Sequence, residues 1–149
     1  MHVNEPRLNT VHQDAPDRVA RNPPVSLEFA MKVQAIEQHE QKDVQMEGAV
    51  GAKMRMLVGP EDGARNFHMR QFEVAVGGHT PHHSHDYEHE ILILGGTGVA
   101  RSDQGDHPLQ SGDVLFIPAN EKHQFVNSGP EPLSFICLIP APQDCSRNP

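Results

Sequence analysis

Short segments in which apolar and polar residues alternate run through the middle and C-terminal parts of the chain. Alternation of this kind is typical of β-strands, because successive side chains of a strand point to opposite faces of the sheet. No amphipathic stretch of ten or more residues indicates a helix. Turn residues separate the predicted strands, which span residues 53–58, 67–76, 90–94, 99–102, 107–110, 114–117, 122–126 and 133–139. The spacing predicts an all-β protein, folded as a sandwich or a closed barrel.

The two ends of the chain differ from this pattern. Residues 1–30 contain four prolines and scattered charges without a sustained period, so we predict an extended or disordered N-terminal tail there. Met31 begins the segment MKVQAI, which is predicted to be an edge strand and to start the folded domain. The predicted organisation is a tail over residues 1–30, a β-barrel over residues 31–142 and a short C-terminal tail over residues 143–149.

Length, charge and cysteine content narrow the class of protein. A chain of 149 residues has room for one domain with one core. The formal net charge of −8, without a Lys/Arg cluster, argues against a nucleic acid or an anionic membrane as partner. No apolar run is long enough to span a bilayer, and no secretory signal is visible. The two cysteines lie near the C-terminus and suggest no disulfide framework, so we expect a cytoplasmic protein.

Histidine is concentrated in one stretch of the chain. Five of the 11 histidines lie between residues 79 and 89: His79, His82, His83, His85 and His89. In a strand His83, His85 and His89 share one face, since they differ by two and four residues. They can converge on one ion if the chain bends around residues 86–87, and His123 is the best candidate for a fourth ligand from a distant strand. A register slip of one residue would replace His89 by Glu90.

Two motifs around these histidines resemble those of the cupin superfamily. The first motif consists of Gly77, His83-Ser84-His85, His89 and Gly96, with His89 at the position where the family has a glutamate. The second consists of Gly112, Pro118, His123 and Asn127, with Asn120 at a family glycine position. Asn tolerates a positive φ better than other non-glycine residues, so this second departure is mild.

The resemblance implies a single cupin jelly-roll β-barrel with one divalent transition metal ion per chain, held by His83, His85, His89 and His123. Replacement of the family glutamate by histidine is typical of small cupins with an all-histidine, manganese-type site, although imidazole also suits Fe, Cu, Ni and Zn. The implied activity is that of a metal-dependent oxygenase of the dioxygenase type, acting on a small unsaturated or enol-like molecule. A Lewis-acid lyase or isomerase and a non-catalytic sensor or ligand-binding module remain alternatives. A homodimer is expected by the same analogy.

No catalytic residue besides the metal ligands is predicted. Several other side chains are assigned to the pocket, the rim of the site or the core. Phe135, Cys137 and Tyr87 are candidates for lining the metal pocket, and Glu90 is a candidate for orienting an imidazole. His79 and His82 are interpreted as solvent-exposed residues or residues at the rim of the site. Phe116 and Phe125 are predicted to lie in the core. Arg70 interrupts the apolar face of its strand and is interpreted as a strand-edge charge rather than an anion-binding residue.

Overall fold

The computed structural model describes residues 31–142, so the predicted N-terminal and C-terminal tails lie outside the described residues. In this part of the chain all regular structure is strand, apart from two 3₁₀ turns at Ile36–Gln38 and Pro60–Asp62. The strands are β1 (Gln41–Asp43), β2 (Val50–Val58), β3 (Phe67–His79), β4 (His89–Gly95), β5 (Thr97–Ser102), β6 (Gly105–Gln110), β7 (Val114–Ile117), β8 (His123–Asn127) and β9 (Leu133–Pro140). No helix among the described residues is long and apolar enough to cross a membrane.

The nine strands form one curled antiparallel sheet. Its order is β6-β5-β8-β3-β9-β4-β7, and β2 adds to β3 while β1 adds to β2. Strand β3 is the junction, because it pairs with β2 and β9 along its length and with β8 only at His79. The curled sheet encloses one core as a jelly-roll β-barrel, which confirms the predicted all-β fold.

The core consists of the inward-facing side chains of the central strands. Alternate positions of β4 and β9 are buried: Ile91, Ile93, Leu133, Phe135 and Cys137. The rings of Phe72 and Phe125 lie 5.3 and 4.7 Å from the ring of Phe135, measured between centroids. Full burial of an aliphatic or aromatic side chain contributes about 1.5–3 kcal/mol, so these side chains contribute a large part of the stability of the barrel. Phe125 lies in the core as predicted.

The predicted edge strand at the segment MKVQAI is wrong. Residues 31–35 form no strand, and a 3₁₀ turn follows them. Met31 and Val33 are almost fully exposed, so these two apolar residues bury almost nothing against the sheet. Lys32 instead ties the segment to the end of β2 by donating to the carbonyl of Leu57 and to Asp62. The sheet edge is occupied by the short strand β1, which pairs with residues 53–55.

Two further predictions about strands need correction. Strand β3 does not end at Gly77-Gly78, because a positive φ of 75° at Gly77 allows an irregularity after which the strand continues to His79. Phe116 is not a core residue, since 62% of it is exposed. In β7 the inward-facing position next to it is Ile117, which is buried, and Phe116 therefore points away from the core.

Candidate metal centre

Four histidines meet at one end of the barrel, but they do not share one strand. Strand β3 ends at His79 and β4 begins at His89, so His83 and His85 lie in the connection between them. His83 is joined to His123, the first residue of β8, by two backbone hydrogen bonds of 3.2 and 2.9 Å. Only His89 continues the alternation of its strand. The four histidines therefore converge because of the path of the β3–β4 connection, and not because of the alternation of a single strand.

The ring nitrogens of three of these histidines form a compact group. One ligand atom each from His83, His85 and His123 lies within 4.8 Å of the other two. His89 is outside this group of mutually close atoms, yet its Nε2 lies 2.7 Å from Nε2 of His85. The ring centroids of His89 and His123 are 5.2 Å apart. All four predicted ligands thus lie at one place, with three of them meeting the distance requirement of a shared ion.

Backbone carbonyls fix the orientation of two rings. Nδ1 of His85 donates to the carbonyl of Tyr87 at 2.7 Å, and Nδ1 of His123 donates to the carbonyl of Glu121 at 2.9 Å. A carbonyl only accepts hydrogen bonds, so the opposite nitrogen, Nε2, carries the lone pair in each neutral ring. Hydrogen bonds of this type are common in histidines that bind metals, because they fix the tautomer and raise the basicity of the ligand nitrogen.

The fourth ring, His89, is held by the neighbouring strand β9. Its Nδ1 lies 3.4 Å from the carbonyl of Leu138 and 3.3 Å from the Sγ of Cys137. With Nδ1 as the donor, Nε2 of His89 and Nε2 of His85 face each other as two acceptors at 2.7 Å. Two facing lone pairs repel each other, and a cation bound by both removes the repulsion. This donor set therefore fits a transition metal ion.

Burial keeps the rings in the form that binds metals. Burial, followed by the charge of His85, lowers the pKa of His89 to about 3. Burial also lowers the pKa of His83 and of His123 from the ordinary value of 6.5. A histidine must be neutral to donate its lone pair to a metal, so these shifts extend the competent form to lower pH.

The loop before β8 is bound to the histidine segment through an unusual residue. The backbone N–H of Asn120 donates to the carbonyl of His85 at 2.7 Å. Asn120 is the one non-glycine residue with positive φ among residues 31–142, at 68°. Asn120 thus adopts the positive φ that was expected at this family glycine position. Its hydrogen bond to His85 brings the two motifs into contact.

The rings face a cavity of about 260 Å³. Its wall is mainly apolar and aromatic, with Val44, Met46, Phe72, Phe125 and Phe135 among the lining residues. All three predicted pocket residues (Phe135, Cys137 and Tyr87) line it. Tyr87 stacks on His85 with a centroid distance of 3.8 Å and an interplanar angle of 6°. The cavity is small, so a ligand that fills it has few non-hydrogen atoms.

Other candidate residues lie away from the ring nitrogens. His79 contacts Thr80 and Gln124, and His82 is exposed. Glu90 forms no hydrogen bond to an imidazole within the described part of the chain. Burial and the neighbouring Glu88 raise the pKa of Glu90. The groups that orient the rings are backbone carbonyls and a thiol, which the sequence pattern could not identify.

Arg70 is the residue whose position differs most from its interpretation. It lines the cavity together with the histidines and is not a strand-edge charge. Its Nη2 lies 3.1 Å from the Sγ of Cys137, and its guanidinium lies 5.0 Å from the ring centroid of Phe72. The sequence did contain a sign of this position, because Arg70 alternates with Phe72 and Val74 and therefore shares their inward-facing side of β3.

Comparison with known proteins agrees with this architecture. The model of the Cupin domain family matches residues 70–139. A 1-methylthio-D-xylulose 5-phosphate methylsulfurylase of Rhodospirillum rubrum is 33% identical over 81 residues, covering 54% of this chain and 52% of that protein. An oxalate-binding protein of Thermotoga maritima is 40% identical over 58 residues, covering 38% of this chain and 48% of that protein. The chain thus spans about half the length of these curated relatives.

A solved structure is similar over a larger part of the chain. The polyketide cyclase RemF from Streptomyces resistomycificus has a TM-score of 0.73 and 32% sequence identity, covering 77% of this chain and 82% of that chain. The histidine cluster and both motifs lie within the matched family region, together with most of the residues that line the cavity. On these grounds the chain belongs to the cupin superfamily.

Proposed function

We propose that this protein is a metal-dependent enzyme with one divalent transition metal ion, held by His83, His85, His89 and His123. The observation that carries the proposal is the convergence of four imidazoles on one cavity, with Nε2 of His85 and of His89 2.7 Å apart. The proposed metal is manganese, from the likeness to all-histidine cupins, and the imidazole donors also suit Fe, Cu, Ni and Zn.

The proposed substrate is a small unsaturated or enol-like molecule. The apolar wall formed by Phe72, Phe125 and Phe135 excludes water from one side of such a ligand and packs against its carbon atoms. The bound ion would supply a Lewis acid for an enol or carbonyl oxygen and, where redox-active, an electron donor toward dioxygen. The histidines would hold the ion that binds this oxygen, and the aromatic wall limits the size of the rest of the ligand.

Oxygenation is the reaction that we propose first. Among the described residues, the cavity wall contains no carboxylate and no lysine. Lyase and isomerase reactions commonly need a general acid and a general base beside the substrate, and these are the side chains that most often supply them after histidine. Tyr87 and Cys137 are the other groups of the wall that could transfer a proton. An oxygenase depends less on proton transfer, and we therefore place oxygenation first.

Lewis-acid chemistry without dioxygen is the second candidate, and the likeness to a polyketide cyclase structure favours it. Four neutral ligands leave the charge of a divalent ion uncompensated, which strengthens its attraction for an enolate. A non-catalytic binding module is the third, suggested by the likeness to an oxalate-binding protein.

One experiment distinguishes these functions. The metal-free protein is reconstituted with Mn²⁺, Fe²⁺ or Zn²⁺ and mixed with acetylacetone, an enol-forming chelator, or with oxalate. Oxygen consumption and products are then measured with an electrode and by mass spectrometry. Oxygen uptake with Mn²⁺ or Fe²⁺ but not Zn²⁺ supports the oxygenase, and anaerobic turnover with Zn²⁺ supports the second candidate. Affinity without turnover supports the binding module.

A matched pair of variants tests the site itself. His83→Ala should lose metal binding, whereas His82→Ala, which removes the exposed neighbour, should retain it. A wild-type protein that binds no divalent ion would contradict the proposed function. The expected cytoplasmic location and homodimeric state stay proposals as well.

A further inference from the structure

Arg70 places a permanent positive charge beside the histidine cluster. Its side chain is half-buried and lines the same cavity as His83, His85, His89 and His123. Contacts of 3.1 Å from Nη2 to the Sγ of Cys137, and of 3.3 Å from that Sγ to Nδ1 of His89, connect it with the cluster. The guanidinium is held in place by this thiol and by the face of Phe72.

The guanidinium lacks an anionic partner within the described part of the chain. None of the ion pairs among residues 31–142 includes Arg70, since these pairs are Lys32–Asp62, Lys42–Glu40 and Arg101–Asp106. Its Nε is a buried atom without a hydrogen-bond acceptor among these residues. A buried donor without a partner is energetically unfavourable, so an acceptor supplied by a ligand would be favoured beside this guanidinium.

The charge balance of the site leads to the same conclusion. Four neutral imidazoles with a divalent ion and one guanidinium carry three positive charges, while the cavity wall contains no carboxylate among the described residues. Two cationic groups around one small cavity repel each other, and this repulsion is removed by an anion that contacts both.

We propose that Arg70 binds a carboxylate group of the ligand, and that the site therefore takes a small carboxylate with a second oxygen-bearing group that reaches the metal. This inference rests on the proposed metal site and adds the class of substrate to it. A planar guanidinium matches the two oxygens of a carboxylate. One fork without a lysine or further arginine in the wall suits a carboxylate better than a phosphate, which usually has several cationic or backbone donors.

The test uses the full chain loaded with Mn²⁺, and its metal content is measured first. Calorimetry then gives the affinity for three probes: oxalate as a carboxylate, inorganic phosphate as the alternative anion, and imidazole as a neutral metal ligand. The variants are Arg70→Met, Arg70→Lys and the control Arg101→Met, which removes an exposed arginine paired with Asp106. Arg70→Lys keeps the positive charge but removes the paired N–H donors of the guanidinium. This variant is compared with the wild type if Arg70→Met does not fold.

The expected result is specific to carboxylates. Arg70→Met should weaken oxalate binding by about 10- to 100-fold, and Arg70→Lys by a smaller factor, while imidazole affinity and metal content remain at the wild-type level. Arg101→Met should bind all three probes as the wild type does. Unchanged oxalate affinity in both Arg70 variants, with metal and imidazole still bound, would overturn the role of Arg70. Tighter binding of phosphate than of oxalate would overturn the carboxylate class. A wild-type protein without metal would refute the proposed function itself.

Discussion

Each imidazole of the centre has two nitrogens, and the surrounding chain decides which one faces the cavity. For His85 and His123 the acceptor is a carbonyl only two residues away, at Tyr87 and Glu121. The orientation of these two rings is therefore determined locally, by the turn in which each ring lies. For His89 it depends on strand β9, through Leu138 and Cys137. Local and long-range contacts thus both prepare the site for an ion.

A comparison of two histidines tests which of them bind metal. His123→Ala should lower the affinity for Mn²⁺ or Zn²⁺ by about 100-fold or more, since loss of a ligand costs at least as much as loss of its supporting group. His79→Ala should change it little, because His79 contacts Thr80 and Gln124 instead of the cluster. Competition with a chromophoric chelator measures both affinities. Equal losses in the two variants would mean that other histidines form the site.

Burial of His89 predicts a pH dependence of stability in the metal-free protein. The pKa of His89 is about 3 in the folded chain and about 6.5 when unfolded, so the unfolded chain binds more protons between these values. Stability is therefore highest above pH 6.5 and falls as the pH decreases toward 3. Between pH 7 and pH 5 the loss from this residue is roughly 2 kcal/mol in the free energy of unfolding.

Urea unfolding at these two pH values, after treatment with a chelator, measures the effect. His89→Gln should flatten the dependence by about 2 kcal/mol, whereas His107→Gln, at an exposed position of β6, should leave it unchanged. The same pH dependence in wild type and His89→Gln would show that His89 is readily protonated in the folded protein.

At the level of single residues, periodicity and spacing predicted the position of the histidine cluster but not its surroundings. The spacing of His83, His85 and His89 is visible in the sequence because it is local. Arg70 lies 67 positions before Cys137, its hydrogen-bond partner, and only strand pairing brings them together. The charge of Arg70 on an apolar strand face is explained by the cavity that this face lines, and the cavity forms only when the barrel closes.

The elements of this fold are joined at the site by one strained turn. Asn120 has a φ of 68°, and its N–H holds the loop before β8 against the carbonyl of His85. Side chains with a Cβ and no local hydrogen bond disfavour this conformation. The loop that carries His123 therefore depends on asparagine or glycine at this position.

Substitution at this turn tests its contribution. Asn120→Ala should lower the free energy of unfolding by about 1 kcal/mol, while Asn120→Gly should leave it nearly unchanged or raise it. Lys122→Ala, an exposed position two residues later, serves as the control and should have little effect. Denaturant unfolding measures all three. A larger loss in Asn120→Gly than in Asn120→Ala would mean that the side chain of Asn120, not its backbone conformation, matters.

Among the elements, strands with clear alternation were predicted well, whereas the end of β3 and the segment before β1 were not. Strands β4, β7, β8 and β9 lie within one residue of the predicted ranges, because their alternation reflects burial on one face. The continuation of β3 through Gly77 was missed, since glycine pairs usually end strands and this one is extended by long-range pairing of His79 with Val50 of β2 and Val126 of β8. The segment MKVQAI has strand-forming residues but no partner strand.

At the scale of the whole molecule, one outer face of the sheet is apolar. Strand β7 ends the main path of the sheet, so its outer edge has no neighbouring strand among the described residues. Val114 is 78% exposed and Phe116 62%, and Leu92 and Leu94 of β4 are also exposed. An unpaired strand edge beside exposed apolar side chains is favourable for association with another chain.

A second copy of this chain is the partner that we expect on this face, since an isologous contact pairs the same patch on both copies. Light scattering after gel filtration should give twice the chain mass of 16.5 kDa for the wild type. Phe116→Glu should give the mass of one chain, because it places a charge at the centre of the contact. Val76→Glu, at an exposed apolar position of β3 away from β7, should leave the dimer intact. A wild type that remains monomeric at high concentration, or a Phe116→Glu variant that remains dimeric, would exclude this face as the interface.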